Sequence, residues 1–439
     1  MKFKKNLVVL LACITMFFLS ACKGSASTST IASTTTPESS ATTAPLATDK
    51  APAETPQDFK TFKIGVVEKQ ATDETVVRRE FYENFIAPNY NVQFIFSEVI
   101  TDVEGEVNFI ENCADAGVDA IICMRGGTDA YQLSQIAADY GMLYLYQGRR
   151  EAAADLFVAD YDNFIGAFGA SLPLMTKAYS DYLAENASDD GSEGFIILSS
   201  DASKGNLVQT DLTVSILQVL QDKYGLTYEK DLKTLAISDA PTIVKNNKDI
   251  AIYIYPGQVK QDGWLEGVSS ALQSGRYGYL ISTLQSYTQT SVVVDEVERT
   301  FDKNITVMSM GTMGDALTTA MNTMDKFGNP SVDFVALELT SIKSAGNFAM
   351  VYNALTGHKD NMRGSDGLMS AFDYNRIFLT SPEQLSVMED WDMNGKWAVS
   401  REYVDGMLGI YHSEITADDI QEHLNTVTSY EYIYNYLEG

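Results

Sequence analysis

Histidine, cysteine and tryptophan are scarce in this sequence of 439 residues, which holds three, four and three of them respectively. The histidines, His358, His412 and His423, fit no His-x-x-x-His zinc motif, and the cysteines form no pair at metal-ligand spacing. A Gly-x-Ser-x-Gly nucleophile motif and a Gly-x-x-x-x-Gly-Lys phosphate loop are also absent. We therefore expect no enzyme activity, no cofactor and no metal.

Basic residues are outnumbered, with 31 Lys and Arg against 59 Asp and Glu and a formal net charge of −28. Such an excess of negative charge repels nucleic-acid phosphates and anionic lipid headgroups. The net charge does not indicate which ligand the protein binds. We therefore expect no nucleic-acid partner.

The N-terminus carries a basic head, residues 1–5, followed by an apolar run over 7–19. This run is shorter than the roughly 20 apolar residues that cross a membrane, and the pattern predicts a signal peptide over 1–21. The sequence Leu-Ser-Ala-Cys that ends at Cys22 resembles the lipobox of bacterial lipoproteins. That resemblance implies an extracytoplasmic protein whose Cys22 carries lipid and anchors it to the cell membrane.

Residues 22–57 are rich in Ser, Thr, Ala and Pro and have almost no large apolar side chain. Such a composition buries too little apolar surface to offset the entropy of an ordered chain. We therefore predict that 22–57 is a disordered tether between the lipid and a globular part.

Short apolar runs alternate with helical periodicity in the first part of the globule. The runs that predict strands are 62–67, 91–96, 119–124, 142–146 and 156–159, and the predicted helices are 73–87, 104–116 and 129–139. This alternation predicts a parallel sheet covered by helices on both faces. An exported location permits a disulfide between Cys113 and Cys123, but their apolar surroundings favour two buried thiols.

The same alternation continues in the second part. The runs that predict strands are 195–198, 234–237, 250–255, 279–284 and 306–310, and the predicted helices are 207–224, 264–272, 292–301 and 315–324. A run over 332–339 is expected to lead back to the first part. A late helix over 416–434, capped by Thr416, belongs to a tail that we expect to pack on the second lobe or the hinge.

Five segments together resemble the type I periplasmic binding proteins, the family of the ribose- and galactose-binding proteins. They are Lys-Ile-Gly-Val-Val at 63–67 and the stretches 117–123, 157–167, 344–357 and 379–385, so that the resemblance covers residues 62 to about 387. The resemblance implies an α/β fold of two doubly wound parallel-sheet lobes joined by a three-crossing hinge.

This fold implies the following boundaries. Lobe 1 comprises 58–165 and 340–372, lobe 2 comprises 166–339, and 373–439 forms a return segment and tail. The crossings are expected near 164–172, 338–344 and 370–378.

Candidate binding residues are those that follow predicted strands, because ligands of open parallel sheets lie outside the carboxyl ends of the strands. They are Glu68, Lys69, Arg125, Gln147, Arg149 and Asp160 in the first lobe, and Asp201, Tyr255, Gln258, Gln285 and Asp315 in the second. Each is also compatible with a solvated loop residue, and Asp315 with a favourable charge at a helix N-terminus. We expect a neutral or weakly polar ligand held by Glu68, Arg125 and Gln147.

The resemblance implies a solute-binding protein that captures a small polar molecule, with a sugar favoured, and delivers it to an ABC permease. The alternative is a ligand-sensing receptor of the same fold, coupled to a membrane signalling protein. Carboxylate, guanidinium and amide groups suit a hydroxyl-rich ligand, because each can pair with adjacent hydroxyl groups.

Overall fold

The computed structural model describes residues 55–125, 129–200, 207–259, 261–388, 391–392 and 395–427. The predicted signal peptide, Cys22, most of the predicted tether and Asp201 lie outside these ranges. Within the described ranges, no helix has the length and apolar character needed to cross a membrane.

The described ranges form thirteen strands in two sheets. In chain order they are β1 (Phe62–Glu68), β2 (Val92–Val99), β3 (Ala120–Cys123), β4 (Leu143–Gln147), β5 (Phe164–Ala170), β6 (Phe195–Ser199), β7 (Thr242–Ile243), β8 (Ile252–Pro256), β9 (Tyr279–Ser282), β10 (Thr306–Thr312), β11 (Phe334–Glu338), β12 (Ala371–Tyr374) and β13 (Ile377–Leu379). The first sheet has the order β12-β5-β4-β3-β1-β2, and all its neighbouring strands are parallel. The second has the order β13-β11-β10-β9-β6-β8-β7, with antiparallel strands only at its two edges.

Helices connect most of these strands. In chain order they are α1 (Asp73–Phe81), α2 (Ala87–Tyr90), α3 (Val103–Asp115), α4 (Ala130–Asp139), α5 (Ala154–Ala159), α6 (Leu172–Asn186), α7 (Leu207–Tyr224), α8 (Leu232–Ala236), α9 (Trp264–Leu272), α10 (Tyr287–Phe301), α11 (Asp315–Asn322), α12 (Thr340–Leu355), α13 (Pro382–Met388), α14 (Arg401–Asp405) and α15 (Ala417–Leu424). A π-helical segment, Tyr82–Ile86, joins α1 to α2.

The central strands are buried on both faces, which is why they read as continuous apolar runs rather than as alternating patterns. Every residue of β3 is buried, and so is every residue of β6. The predicted parallel sheets are therefore confirmed. Cys113 and Cys123 are buried thiols, as their apolar surroundings suggested.

In its described part, the chain passes between the two sheets three times. It leaves the first sheet after β5, returns after β11 into α12, and leaves again between β12 and β13. The backbone N–H of Ser171, in the first crossing, donates to the carbonyl of Tyr374, beside the third, at 2.9 Å. The predicted two-lobe fold with a three-crossing hinge is thus confirmed.

Two predicted strands are wrong. The run at 156–159 lies in α5, where Leu156 and Phe157 are buried while Val158 is 79% exposed, so only one side of the segment faces the core. The run at 234–237 overlaps α8, a short helix whose first turn is capped by the side chain of Asp231. In both segments a local cap or helical periodicity outweighs the β-propensity of a short apolar run.

The tail, which we expected on the second lobe or the hinge, contacts the second crossing, where Asp392 accepts from the backbone N–H of Ser341 at 2.8 Å, and it also packs on the first lobe. Its target is α12, in which every residue from 340 to 353 is buried, so the helix has no side left for water. Asn353 of α12 donates to the carbonyl of Met407 at 2.9 Å and accepts from the N–H of Gly409 at 2.8 Å. In this tail, β13 pairs with β11 of the second lobe, and α13 contacts α11. Thr416 caps α15 as predicted.

Candidate ligand-binding cleft

A cleft of about 350 Å³ lies where the carboxyl ends of strands from both sheets face each other. Its first-lobe wall contains residues that follow β1 and β4 and those that end β5, and its second-lobe wall contains residues from α7, the end of β10 and the segment after β9. Four side chains of the hinge complete it: Glu338, Lys343, Tyr374 and Arg376. This is the position at which open parallel sheets bind ligands.

A chain of ion pairs with alternating sign runs along one side of this cleft. It links six side chains in the order Glu68, Arg78, Glu74, Lys343, Glu338 and Arg376, with nitrogen–oxygen distances of 2.6, 2.8, 2.9, 2.6 and 2.6 Å. None of the six side chains is more than 13% exposed. Tyr374 donates its hydroxyl hydrogen bond to Glu338. We call these six residues the hinge network.

The hinge network connects the strands that carry the chain between the lobes. Glu338 ends β11 at the second crossing, and Arg376 stands between β12 and β13 at the third. Lys343 projects from α12 and reaches both Glu338 and Glu74, and Glu74 lies in α1 of the first lobe. The network therefore holds two crossings against the first lobe.

The charges of the network are held in place by one another. Burial alone would lower the pKa of Lys343, but the carboxylates of Glu338 and Glu74 outweigh burial and raise it. Burial would likewise raise the pKa of Glu74, yet Lys343 and Arg78 bring it well below its ordinary value. A buried charge is tolerated only when such partners are present, because desolvation costs several kcal/mol per ion.

Four of the sequence-predicted residues line the cleft: Lys69, Gln147, Arg149 and Gln285. Gln147 donates to the carbonyl of Phe168 at 2.6 Å and accepts from Asn347 at 2.8 Å, which orients its amide. Gln285 donates to the hydroxyl of Tyr287 at 3.1 Å.

Arg149 reaches across to the second lobe, where its Nη1 lies 2.8 Å from Asp211 of α7. The Asp211 side chain is 39% exposed. Burial raises the pKa of Asp211, and Arg149 opposes that rise. The pair therefore joins the two walls at a position that water still reaches.

Glu68 and Arg125 do not line the cleft, because partners within the first lobe already satisfy their charges. Glu68 is fully buried and receives two hydrogen bonds from Arg78, at 3.1 and 2.6 Å. Arg125 donates to Glu106 of α3 at 2.7 Å and to Asp129 at 2.6 Å. The structure therefore places Glu68 and Arg125, which we expected to hold a ligand, outside the lining of this cleft.

Asp160 lies at the amino ends of the first sheet's strands, on the side away from the cleft. It ends α5 with a left-handed backbone (φ 46°) and precedes β5, so it stands near the amino end of a strand. Its carboxylate accepts two hydrogen bonds from Arg363, at 2.8 and 3.0 Å. Its prediction as a site residue depended on the strand wrongly assigned to 156–159.

Three predicted residues of the second lobe also lie outside the cleft. Tyr255 packs beside Trp264 and Gly267 of α9. Gln258 is exposed, and its side-chain amide lies 3.5 Å from the hydroxyl of Ser200. Asp315 is exposed in the first turn of α11 and lines a separate surface groove between α10 and α11, in keeping with the helix-terminus alternative. The fourth, Asp201, falls outside the described residues.

Sequence reasoning missed Gln209 and the hinge residues Glu74, Glu338, Lys343 and Arg376. A usable signal was present for two of them. Glu338 directly follows the apolar run 334–337, and Lys343 is the only charged residue of α12. A charge inside an apolar element requires a partner, so each pointed to a buried ion pair.

The described residues contain no group of three or more His, Cys, Asp or Glu side chains that could hold a metal ion. The cleft instead offers ammonium, guanidinium, carboxylate and amide groups. Such groups bind a small polar molecule by hydrogen bonds and charge pairing.

The architecture is that of the type I periplasmic binding proteins. A ribose ABC transporter protein from Conexibacter woesei has a TM-score of 0.52 and 11% identity, over 76% of this chain and 97% of that one. An ABC transporter solute-binding protein from Clostridium phytofermentans, with bound β-D-glucose, has a TM-score of 0.51 and 13% identity, over 77% and 99%. A LacI-type transcriptional regulator from Bacteroides fragilis has a TM-score of 0.50 and 10% identity, over 74% and 99%.

No protein-family model and no curated protein matches the chain. At these levels of identity, the similarity to solved structures establishes the fold.

The substitution Lys343→Met is expected to lower the free energy of unfolding by about 3–5 kcal/mol at pH 7, since it leaves two buried carboxylates without their shared cation. Urea unfolding measures this. The difference should shrink as pH falls below the ordinary carboxyl pKa of 4.5, because the variant can protonate its unpaired carboxylates. The wild-type stability that depends on the lowered pKa values of Glu74 and Glu338 begins to fall in the same range and is fully lost only below those lowered values.

The matched control is Lys245→Met, which removes an exposed ammonium 3.5 Å from Glu229. It should change stability by no more than about 0.5 kcal/mol. Equal stability of the two variants would contradict the structural role of the hinge network.

Proposed function

We propose that this protein is an extracytoplasmic solute-binding protein that captures a small hydroxylated molecule, a sugar or related polyol, between its two lobes. The observation that carries the proposal is the polar cleft at the carboxyl ends of both sheets, bounded by hinge residues. Solved structures of the same fold include a ribose ABC transporter protein and a solute-binding protein with bound β-D-glucose.

The cleft lining supports a hydroxylated ligand. Gln285 and Gln209 present amides from the second lobe, while Gln147 and Arg149 present an amide and a guanidinium from the first. A sugar hydroxyl both donates and accepts, so amides match it in either direction, and a guanidinium can serve two adjacent oxygens.

Hinge motion would open and close this cleft about the three crossings. The pair between Arg149 and Asp211 joins the walls, but both side chains keep contact with water, at 20% and 39% exposure. An ion pair this accessible is worth no more than about 1 kcal/mol. It therefore stabilises the closed arrangement without preventing ligand exchange.

We further propose that the protein delivers the solute to an ABC permease and is anchored through a lipid on Cys22. The proposal includes no catalysis. The alternative is a sensing receptor coupled to a membrane signalling protein. Genes for a permease and an ATPase beside this gene would support transport, whereas a histidine kinase gene would support sensing.

A thermal-shift screen of the purified full chain tests solute binding. Pentoses, hexoses and myo-inositol form one group of probes, and amino acids and nucleosides form the other. At a concentration one hundred times Kd, a ligand stabilises the native state by about 2.7 kcal/mol and raises Tm. We expect such a rise from the first group. No rise in Tm with any of its members or with the corresponding sugar acids would refute the proposal.

The substitution Gln285→Ala should weaken the best sugar about tenfold by titration calorimetry, the effect of one lost hydrogen bond. The control Gln273→Ala, at the exposed end of α9, should leave affinity unchanged.

The substitution Cys22→Ala should abolish incorporation of labelled fatty acid when the full chain is expressed in a bacterial host, because the thiol is the predicted acceptor. Cys13→Ala, within the predicted signal peptide, is the matched control and should leave labelling intact. Equal labelling of wild type and the Cys22 variant would show that the lipobox interpretation is wrong.

A further inference from the structure

The cleft has the opposite charge balance from the rest of the chain. Four cationic side chains, Lys69, Arg149, Lys343 and Arg376, line it together with only two carboxylates, Glu74 and Glu338. The whole chain, by contrast, has a net charge of −28. An acidic protein gains nothing for its solubility from a cationic cleft, so this local excess points to the ligand.

Among the described residues of the cleft, Lys69 is the cation that has no ion-pair partner. Within the described ranges, the structure gives its ammonium no hydrogen bond and no ion pair, although Arg149, Lys343 and Arg376 each have a carboxylate partner. The carboxylates that influence it, Glu74 and Glu338, are already held within the hinge network.

The environment of Lys69 makes a missing counter-charge costly. Its side chain is accessible to solvent but stands in a cleft with dense protein around it, and this desolvation, together with the nearby Lys343, lowers its pKa. Closing the lobes over an unpaired ammonium would increase the desolvation cost. A negative group on the ligand would remove that cost.

Two more polar atoms associated with cleft residues also lack a partner in the described part of the chain. They are the buried Oε1 of Gln209, an acceptor in the second-lobe wall, and the buried Nε of Arg376, a donor at the third crossing. A buried unpaired polar atom costs about 1–3 kcal/mol, which favours a ligand that supplies both hydroxyl donors and charged oxygen acceptors.

We propose that the ligand is a sugar acid, whose carboxylate pairs with Lys69 while its hydroxyls bind the amides of the cleft. This inference rests on the proposed solute-binding function and goes further by assigning the chemical class of the solute. It replaces the neutral ligand expected from the sequence. One unpaired ammonium balances the single charge of a carboxylate, whereas a doubly charged phosphate would leave one negative charge without a partner.

Titration calorimetry on the purified full chain, with matched pairs of probes, tests the assignment. The pairs are glucose with glucuronate, galactose with galacturonate and ribose with ribonate, and glucose 6-phosphate tests the phosphate alternative. In the best pair, we expect the acid to bind at least about tenfold more tightly than its neutral partner, the effect of one charged hydrogen bond.

The substitution Lys69→Met keeps the aliphatic stem and removes the charge. It should abolish the preference for the acid by weakening acid binding about tenfold or more, with a clearly smaller effect on binding of the neutral sugar. Lys69→Arg should retain the preference. Lys245→Met is the control for net charge, because Lys245 lies on the exposed surface beside Glu229, and it should leave the preference intact.

The possible failures are distinguishable. Neutral sugars that bind as tightly as their acids, a preference for glucose 6-phosphate, or an equal loss of both ligands in Lys69→Met would overturn the sugar-acid assignment and leave solute binding standing. Absence of binding by every sugar and sugar acid to the folded protein would overturn both proposals.

Discussion

The structure depends on the ion pairs of the hinge network, which occupy the place where the chain changes lobes. Lys343 is the central member, since it contacts a carboxylate of α1 and a carboxylate that ends β11. Its position in a helix with no side open to water makes those contacts obligatory. The α12 helix, the second crossing and the first-lobe side of the cleft are thereby held in one arrangement.

The network also determines which charges remain available in the cleft. Its three carboxylates form ion pairs with its three cations, so the network as a whole is neutral and leaves no charge unpaired for a ligand. Lys69 follows directly on Glu68, the first member of the network, yet lies outside its pairing. Neighbouring residues at one strand end thus serve different purposes: Glu68 fixes α1 to the sheet, and Lys69 faces the cleft.

Much of the fold was predictable from local pattern, because buried parallel strands are short apolar runs whatever their neighbours are. β1, β6 and α9 were predicted within one residue of their observed bounds. The errors at α5 and α8 arose where a short apolar run has helical periodicity or an Asp cap, and a run of four residues satisfies either pattern. The candidate cleft was predictable in part: Lys69, Gln147, Arg149 and Gln285 follow correctly predicted strands, whereas Asp160 follows a strand that does not exist.

The sequence by itself determined the alternation of strands and helices and the strand ends, since these follow from local periodicity and chain order. The two-lobe architecture was implied by its resemblance to the type I periplasmic binding proteins. Only the tertiary structure decided which charged side chains remain available. Arg125 and Glu68 were as good candidates as Lys69 by position, but Glu106, Asp129 and Arg78 come close enough to neutralise them. Whether a charged side chain forms an ion pair within the protein depends on its distance from elements that are remote in sequence. Those distances are set only when the sheets and helices pack together.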